Sequence, residues 1–276
     1  NPLFDAFEEA GSQSGQGYSE DLNGYNPEGI ARLDATRKNG RRCSAATAHL
    51  KPALARGNIT LLTRAQVIKI DIDGHSVSGV TFQHKGKIHS VEANKEVILS
   101  GGAINSPHLL MLSGIGPSEH LKEHGIDVHL DLPGVGQNLQ DHSCIILQYA
   151  CKKSFPIHKV NQPHRKLATG IRWVFTRKGI ASSNIWEAGG LIRSSSNAIY
   201  PDIQYHFGPV GFEYNANKIS LLQAFAIHVD QLRPRSRGQV TLKSANPLDK
   251  PLMTFNYLQH PEDLSEMLNG IKKARE

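Results

Sequence analysis

Apolar and polar residues follow two different rhythms along this chain. At the N-terminus Leu3, Phe7 and Ala10 recur at helical spacing. Asn1-Pro2 reads as a cap followed by proline at the first helical position, and Gly11 suits the stop. Residues 12–42 are rich in Gly, Asn, Ser and charge, and are expected to be an extended excursion over a partner surface. Ser44 should cap a short helix through Ala46 and Leu50, interrupted by Pro52. Period-two alternation then takes over. Residues 59–63 form one short apolar run, and Val67, Ile70 and Ile72 continue it to a turn at Asp73-Gly74. Segments 77–83 and 87–91 complete a β-meander over 65–92. The apolar run 96–100 reads as a strand buried on both faces, as in a parallel sheet. Ser106-Pro107 should open a helix over 108–112 that Gly114 closes.

From about His142 the pattern predicts strands at 145–151, 185–193, 202–208, 220–231 and 238–243. Helices are expected over 163–177 and from Pro261 onward. Runs of strands with a few helices indicate an α+β layout, an antiparallel sheet backed by helices. A division into residues 1–141 and 142–276 follows. The chain opens on a helix start without Met and closes inside an uncapped helix, so both ends are expected to be truncations.

Composition narrows the function classes. The chain has 276 residues, 39% hydrophobic and 20% charged, an ordinary globular balance. It contains no run of about 18 apolar residues and no signal-peptide pattern. Cys43, Cys144 and Cys151 form no CxxC, which fits a reducing compartment. The net charge of +6 is dispersed, with short clusters such as Arg41-Arg42, and no nucleic-acid module accompanies it. No histidine spacing suggests a metal site.

The richest chemical signal runs from Gly102 to Gly116: a glycine turn, a capped helix and a glycine stop. Glycines let a ligand approach the backbone, and a helix N-terminus offers N–H groups to negative charge. A tight β–α connection that needs Gly only for packing would look the same. The whole stretch, however, resembles the second signature of the glucose–methanol–choline (GMC) oxidoreductases at every defined position. Leu132-Pro133-Gly134-Val135-Gly136-Gln137-Asn138-Leu139-Gln140-Asp141-His142 is also typical of that family, as is Asp21-Leu22-Asn23-Gly24 with Arg42-x-Ser44-Ala45-Ala46. The resemblance covers essentially the whole chain and is strongest to the choline-oxidising members.

That resemblance implies FAD, an FAD-binding domain of the dinucleotide type, of which 1–141 would be an incomplete α/β part, and a substrate domain over 142–276. It implies that Val67, Ser100, Gly101 and Ala103 run beside the cofactor. It implies that Glu187 sits near a trimethylammonium group, that His206 faces the substrate, and that this substrate is choline. Strand alternation turns Trp186 away from Glu187 and so makes it the poorer candidate. For Glu187 the bland alternative is an exposed or salt-bridged strand residue, and for His206 a surface histidine. The chain lacks the GxGxxG turn that seats a pyrophosphate. The family's catalytic histidine would lie beyond Glu276, so no catalytic residue is expected here. The chain alone is therefore expected to show no turnover and no tight FAD binding. The apolar runs 59–63 and 96–100 would be left open by the missing parts of the polypeptide and could pair in a homo-oligomer. The resemblance also implies a cytoplasmic location, peripheral to the inner membrane in some relatives. Oxidation of another primary alcohol, or a non-catalytic module that kept the fold, remain open readings.

Overall fold

The computed structural model describes residues 1–155, 157–215 and 218–276 and contains two compact units. One gathers residues 1–59, 142–234 and 260–276, and the other gathers 60–141 and 235–259. The first 59 residues thus fold with the second half of the chain instead of with their sequence neighbours.

The larger unit is built on a five-stranded antiparallel sheet. Its strands run in the order Gly29–Arg32, Ala188–Ile192, Ile203–Gly208, Ala224–Gln231 and Cys144–Ala150. One sheet face is apolar: Ile30, Ala188, Ile192, Ile203, Tyr205, Phe207 and Val229 are all buried. Helices Pro2–Gln13 and Pro261–Arg275 pack against strands of this sheet. Phe7 stacks on Phe207 with ring centroids 4.5 Å apart, and the Tyr205 hydroxyl donates to the Gly270 carbonyl at 3.1 Å. The first helix starts as expected, with the Asn1 side chain accepting from the Leu3 N–H at 3.0 Å. It does not stop at Gly11. That glycine lies inside the helix because a Cβ there would sit 2.3 Å from Ile30 Cγ1. Glycine serves close packing at this position, not termination. The last helix carries Glu262 and Asp263 in its first turn and Lys272, Lys273 and Arg275 in its last, matching the helix dipole. Pro52 likewise does not end a helix. It occupies the first turn of Lys51–Leu54, which continues a wider turn over Ala46–Leu50.

The smaller unit holds the expected meander, Ala65–Asp73, Ser76–His84 and Lys87–Glu92. Beside it lies helix Gly102–Leu112. A three-stranded sheet of Leu252–Thr254, Gly238–Thr241 and Gln137–Leu139 closes the unit. Met111, Leu121, Val135, Leu139, Val240 and Leu242 form its core. Gly136 has φ +81° and a Cβ there would lie 2.2 Å from the Val240 carbonyl, so this loop of the Pro-Gly-Val-Gly stretch needs glycine.

Two expectations fail in this region. Residues 59–63 and 96–100 are not strands. A strand needs a ladder partner, and neither run has one among the described residues. Ile98, Leu61 and Leu62 stand exposed instead. The helix after them begins at Gly102, with Pro107 inside it. Ser106-Pro107 is therefore an interior pair, not a helix start.

Candidate functional site

The second face of the five-stranded sheet is polar. Strand alternation places Gln204 and His206, His228 and Asp230, and Cys144 together on it. His206 lies directly opposite His228, and Asp230 lies opposite both Gln204 and Cys144. His206 Nδ1 and Asp230 Oδ2 are 2.8 Å apart. Cys144 Sγ approaches His228 Nδ1 at 3.7 Å. Trp186 lies across this face. Its ring meets His228 edge-on at 4.5 Å between centroids, and Gly208 leaves it room, since a Cβ there would come within 2.4 Å of the indole.

These groups differ in charge for identifiable reasons. Burial alone would push the Asp230 carboxyl up, but hydrogen bonds from His206 and Cys144, and the nearby imidazoles, outweigh it and hold the group below the usual carboxylate range. Burial, then the hydrogen bond and charge of Asp230, push the Cys144 thiol up to about 12, which favours the protonated thiol. Burial lowers His228 below the ordinary histidine value, favouring the neutral ring.

A cavity of about 360 Å³ opens over this face, lined by Leu22, Asn23, Leu33, Asp34, Asn184, Trp186, Leu191, Gln204 and His206. Asn23 Nδ2 donates to Asp34 Oδ2 at 3.0 Å, which orients that carboxylate. The excursion 12–42 thus supplies part of the cavity wall. His206 lies where the polar side of its strand predicts.

Glu187 does not share this cavity. It lines a separate one with Phe4, Ile157 and Pro209, and its carboxylate lies 3.8 Å from Arg37. Trp186, set aside by the alternation argument, is the residue that joins His206. The cause is local. The strand begins only at Ala188, and Ile185 adopts φ +74°. Regular alternation from Gly189 therefore breaks before Glu187. Asp230 and Asp34 were also overlooked. Asp230 could have been found from period two, since Ala226, His228 and Asp230 alternate with apolar residues in strand Ala224–Gln231.

The smaller unit has its own cavity, about 370 Å³, lined by Val67, Ile70, Val80, Val97, Leu99, Ser100, Gly101, Asn105, His108, Leu112 and others. Val67, Ser100 and Gly101 line it, whereas Ala103 does not. Its walls suit one flank of a flat, mostly apolar ring system. Among the described residues no Lys or Arg lines it, and burial lowers His108 toward the neutral form. The residues present therefore fit one wall of a dinucleotide site and offer no charge to a pyrophosphate.

His120, Glu123 and His124 are close enough to suggest a metal centre. The hydrogen bonds argue otherwise. His120 Nε2 accepts from the Leu242 N–H at 3.0 Å, so the neutral ring carries its proton on Nδ1, the atom that faces Glu123 at 3.9 Å. His120 then has no lone pair left for a cation.

Comparisons with known proteins agree along the whole chain. A family model described as GMC oxidoreductase matches residues 1–144, and a second so described matches residues 234–276. An oxygen-dependent choline dehydrogenase of Staphylococcus saprophyticus is 44% identical over 275 residues, covering 100% of this chain and 49% of that protein. That of Staphylococcus xylosus is also 44% identical, with the same coverage. The chain spans about half the length of the curated relatives it matches. Among solved structures, formate oxidase superposes with a TM-score of 0.86 at 26% identity, over 99% of this chain and 52% of that one. Pyridoxine 4-oxidase from Mesorbium loti gives 0.81 at 27% identity, over 100% and 50%.

Proposed function

The chain belongs to the GMC oxidoreductase family, and on that premise we propose that it supplies the substrate cavity and one wall of the flavin site of an FAD-dependent enzyme that oxidises choline. The observation that carries the choline reading is the cavity holding Trp186, Asp34 and His206 together. A quaternary ammonium has no N–H to donate, so its recognition rests on an aromatic face and a negative charge. Trp186 offers the first and Asp34 the second. The identity to choline dehydrogenases over the full chain supports the same assignment. In this reading Glu187, paired near Arg37, shapes the wall behind Trp186 and does not touch substrate.

FAD held by the longer polypeptide would supply the acceptor for a hydride from the carbinol carbon. The residues of this chain prepare that step. Trp186 and Asp34 hold the cationic end, and His206 accepts a hydrogen bond from the hydroxyl. Val67, Ser100 and Gly101 would hold one side of the cofactor, and Ala103 in the following helix lies outside that wall.

The test is anaerobic reduction of the flavin in the longer polypeptide by choline and by 3,3-dimethylbutan-1-ol, its uncharged isostere. Choline should bleach the flavin at concentrations about tenfold or more below those the isostere needs, the value of one cation–π contact with a nearby charge. Equal efficiency would favour a dehydrogenase of other primary alcohols. No reduction by any alcohol would favour a non-catalytic module.

One helix bears on location. No described helix is long and apolar enough to cross a membrane. Helix Pro163–Thr176 nevertheless exposes Leu167, Ile171, Val174 and Phe175, beside the exposed Arg165, Lys166 and Arg172. No Asp or Glu occurs between Asp141 and Glu187. A basic amphipathic helix of this kind suits the surface of an anionic bilayer, and we propose that it attaches the protein peripherally there. The chain should co-sediment with vesicles containing phosphatidylglycerol and not with pure phosphatidylcholine, and Phe175→Glu should abolish the difference. Failure to sediment with either vesicle would reject this assignment.

A further inference from the structure

We propose that Asp230 is a positioning residue for His206: it holds the imidazole proton on Nδ1 and thereby presents Nε2 to the cavity as a hydrogen-bond acceptor. That the acceptor serves an alcohol hydroxyl rests on the functional reading above, whereas the orientation itself rests on geometry alone.

The geometry is specific. His206 and Asp230 stand on neighbouring strands, two residues off direct register, on the same polar face. Nδ1 and Oδ2 are 2.8 Å apart, with the carboxylate side chain 13% exposed and the imidazole 36% exposed. A carboxylate can only accept, so the Nδ1 atom must donate. In a neutral imidazole the other nitrogen then carries the lone pair. Nε2 lies across the ring from Asp230, is bonded to none of the described residues, and belongs to a side chain that lines the cavity with Trp186 and Gln204. Without Asp230 nothing on this face would select that tautomer.

The surrounding groups leave the pair undisturbed. Asp230 is held ionised by the bonds it accepts from His206 and Cys144. Cys144, opposite it on the edge strand, stays a neutral thiol. His228, opposite His206, is pushed toward neutrality by burial and so does not compete as a second cation. Gln204 is uncharged. Asp34, which also lines the cavity, is engaged by Asn23. One carboxylate thus faces one imidazole, and the proton between them has a defined position.

The experiment reads the tautomer directly. Long-range ¹⁵N–¹H correlation spectra of the uniformly labelled 276-residue chain, with His206 assigned by its loss in His206→Gln, distinguish protonated Nδ1 from protonated Nε2. The wild-type chain should show Nδ1–H at a pH where the ring is neutral. Asp230→Asn keeps an acceptor oxygen and should keep Nδ1–H, whereas Asp230→Ala should revert to Nε2–H. An Nε2–H wild-type ring, or Nδ1–H retained in Asp230→Ala, would overturn the proposal. The wild-type spectrum is decisive even if the alanine variant does not fold. In the flavin-loaded longer polypeptide, Asp230→Ala should lower kcat/KM for choline about tenfold, the scale of one lost hydrogen bond. The loss should fall mainly on kcat, because the bond to Nε2 strengthens as the hydroxyl proton leaves. Asp230→Asn should restore most of it. A purely structural role would instead lower thermal stability and leave the tautomer unchanged. If the tautomer is as stated but no alcohol reduces the flavin, the functional reading fails and the orientation of His206 stands.

Discussion

Tyr205→Ala should destabilise the larger unit by about 3–5 kcal/mol, the range seen when a fully buried aromatic side chain is removed. The side chain is 1% exposed and sits in the middle strand of the five-stranded sheet. Its loss leaves a void between the sheet and the helix that carries Gly270. Chemical denaturation followed by tryptophan fluorescence would show the midpoint falling sharply. Tyr205→Phe separates packing from polarity. It keeps the ring and removes only the donor to the Gly270 carbonyl, so it should cost about 1 kcal/mol. An alanine variant as stable as the parent would mean that this residue is not the keystone of the apolar face. The effect matters for chemistry because Tyr205 and His206 are neighbours in one strand. Whatever fixes the first ring underneath the sheet fixes the second above it.

The 276-residue chain on its own should purify colourless and bind FAD at least about 1,000-fold more weakly than the longer polypeptide. The cavity containing Val67, Ser100 and Gly101 has apolar walls and, among the described residues, no cationic side chain. A pyrophosphate needs several charge-assisted hydrogen bonds, each contributing about 1.5–3 kcal/mol. Losing three or more of them exceeds the ~4 kcal/mol that a 1,000-fold change represents. Titration with FAD monitored by flavin fluorescence measures this directly. Stoichiometric yellow protein would show that the cradle lies in this chain after all.

Much of the larger unit was legible in the pattern of side chains. Strands Ile203–Gly208 and Ala224–Gln231 alternate cleanly because one face meets helices and the other a cavity. The cap at Asn1 was legible because its chemistry is local, and the expected turn at Asp73-Gly74 falls one residue later, at Gly74-His75, with Asp73 paired to Ser76. What failed depended on distant partners. Residues 96–100 have the composition of a buried strand, yet composition cannot supply a neighbouring strand. Gly11 looked like a helix stop because its real role, room for Ile30, involves a residue 19 positions away. That Glu187 and Trp186 line different cavities, with Trp186 beside His206, has the same origin. One left-handed residue, Ile185, rotates the chain just before the strand starts, and alternation does not extend through such a point. Period two puts Asp230 on the polar face of its own strand, but its pairing with His206 appears only when the two strands are in register.

The assembly of the larger unit from three separate stretches has a consequence during synthesis. Strand Gly29–Arg32 pairs with Ala188–Ile192, so the ribosome must add the intervening residues before the edge can close. At about 5–20 residues per second this takes roughly 8–30 s. Ile30 and Phe4 remain without their sheet throughout, and the closing helix Pro261–Arg275 arrives later still. A nascent chain of this kind has a long interval of apolar exposure, which makes its yield in the cell sensitive to chaperone supply and to translation speed between these two strands.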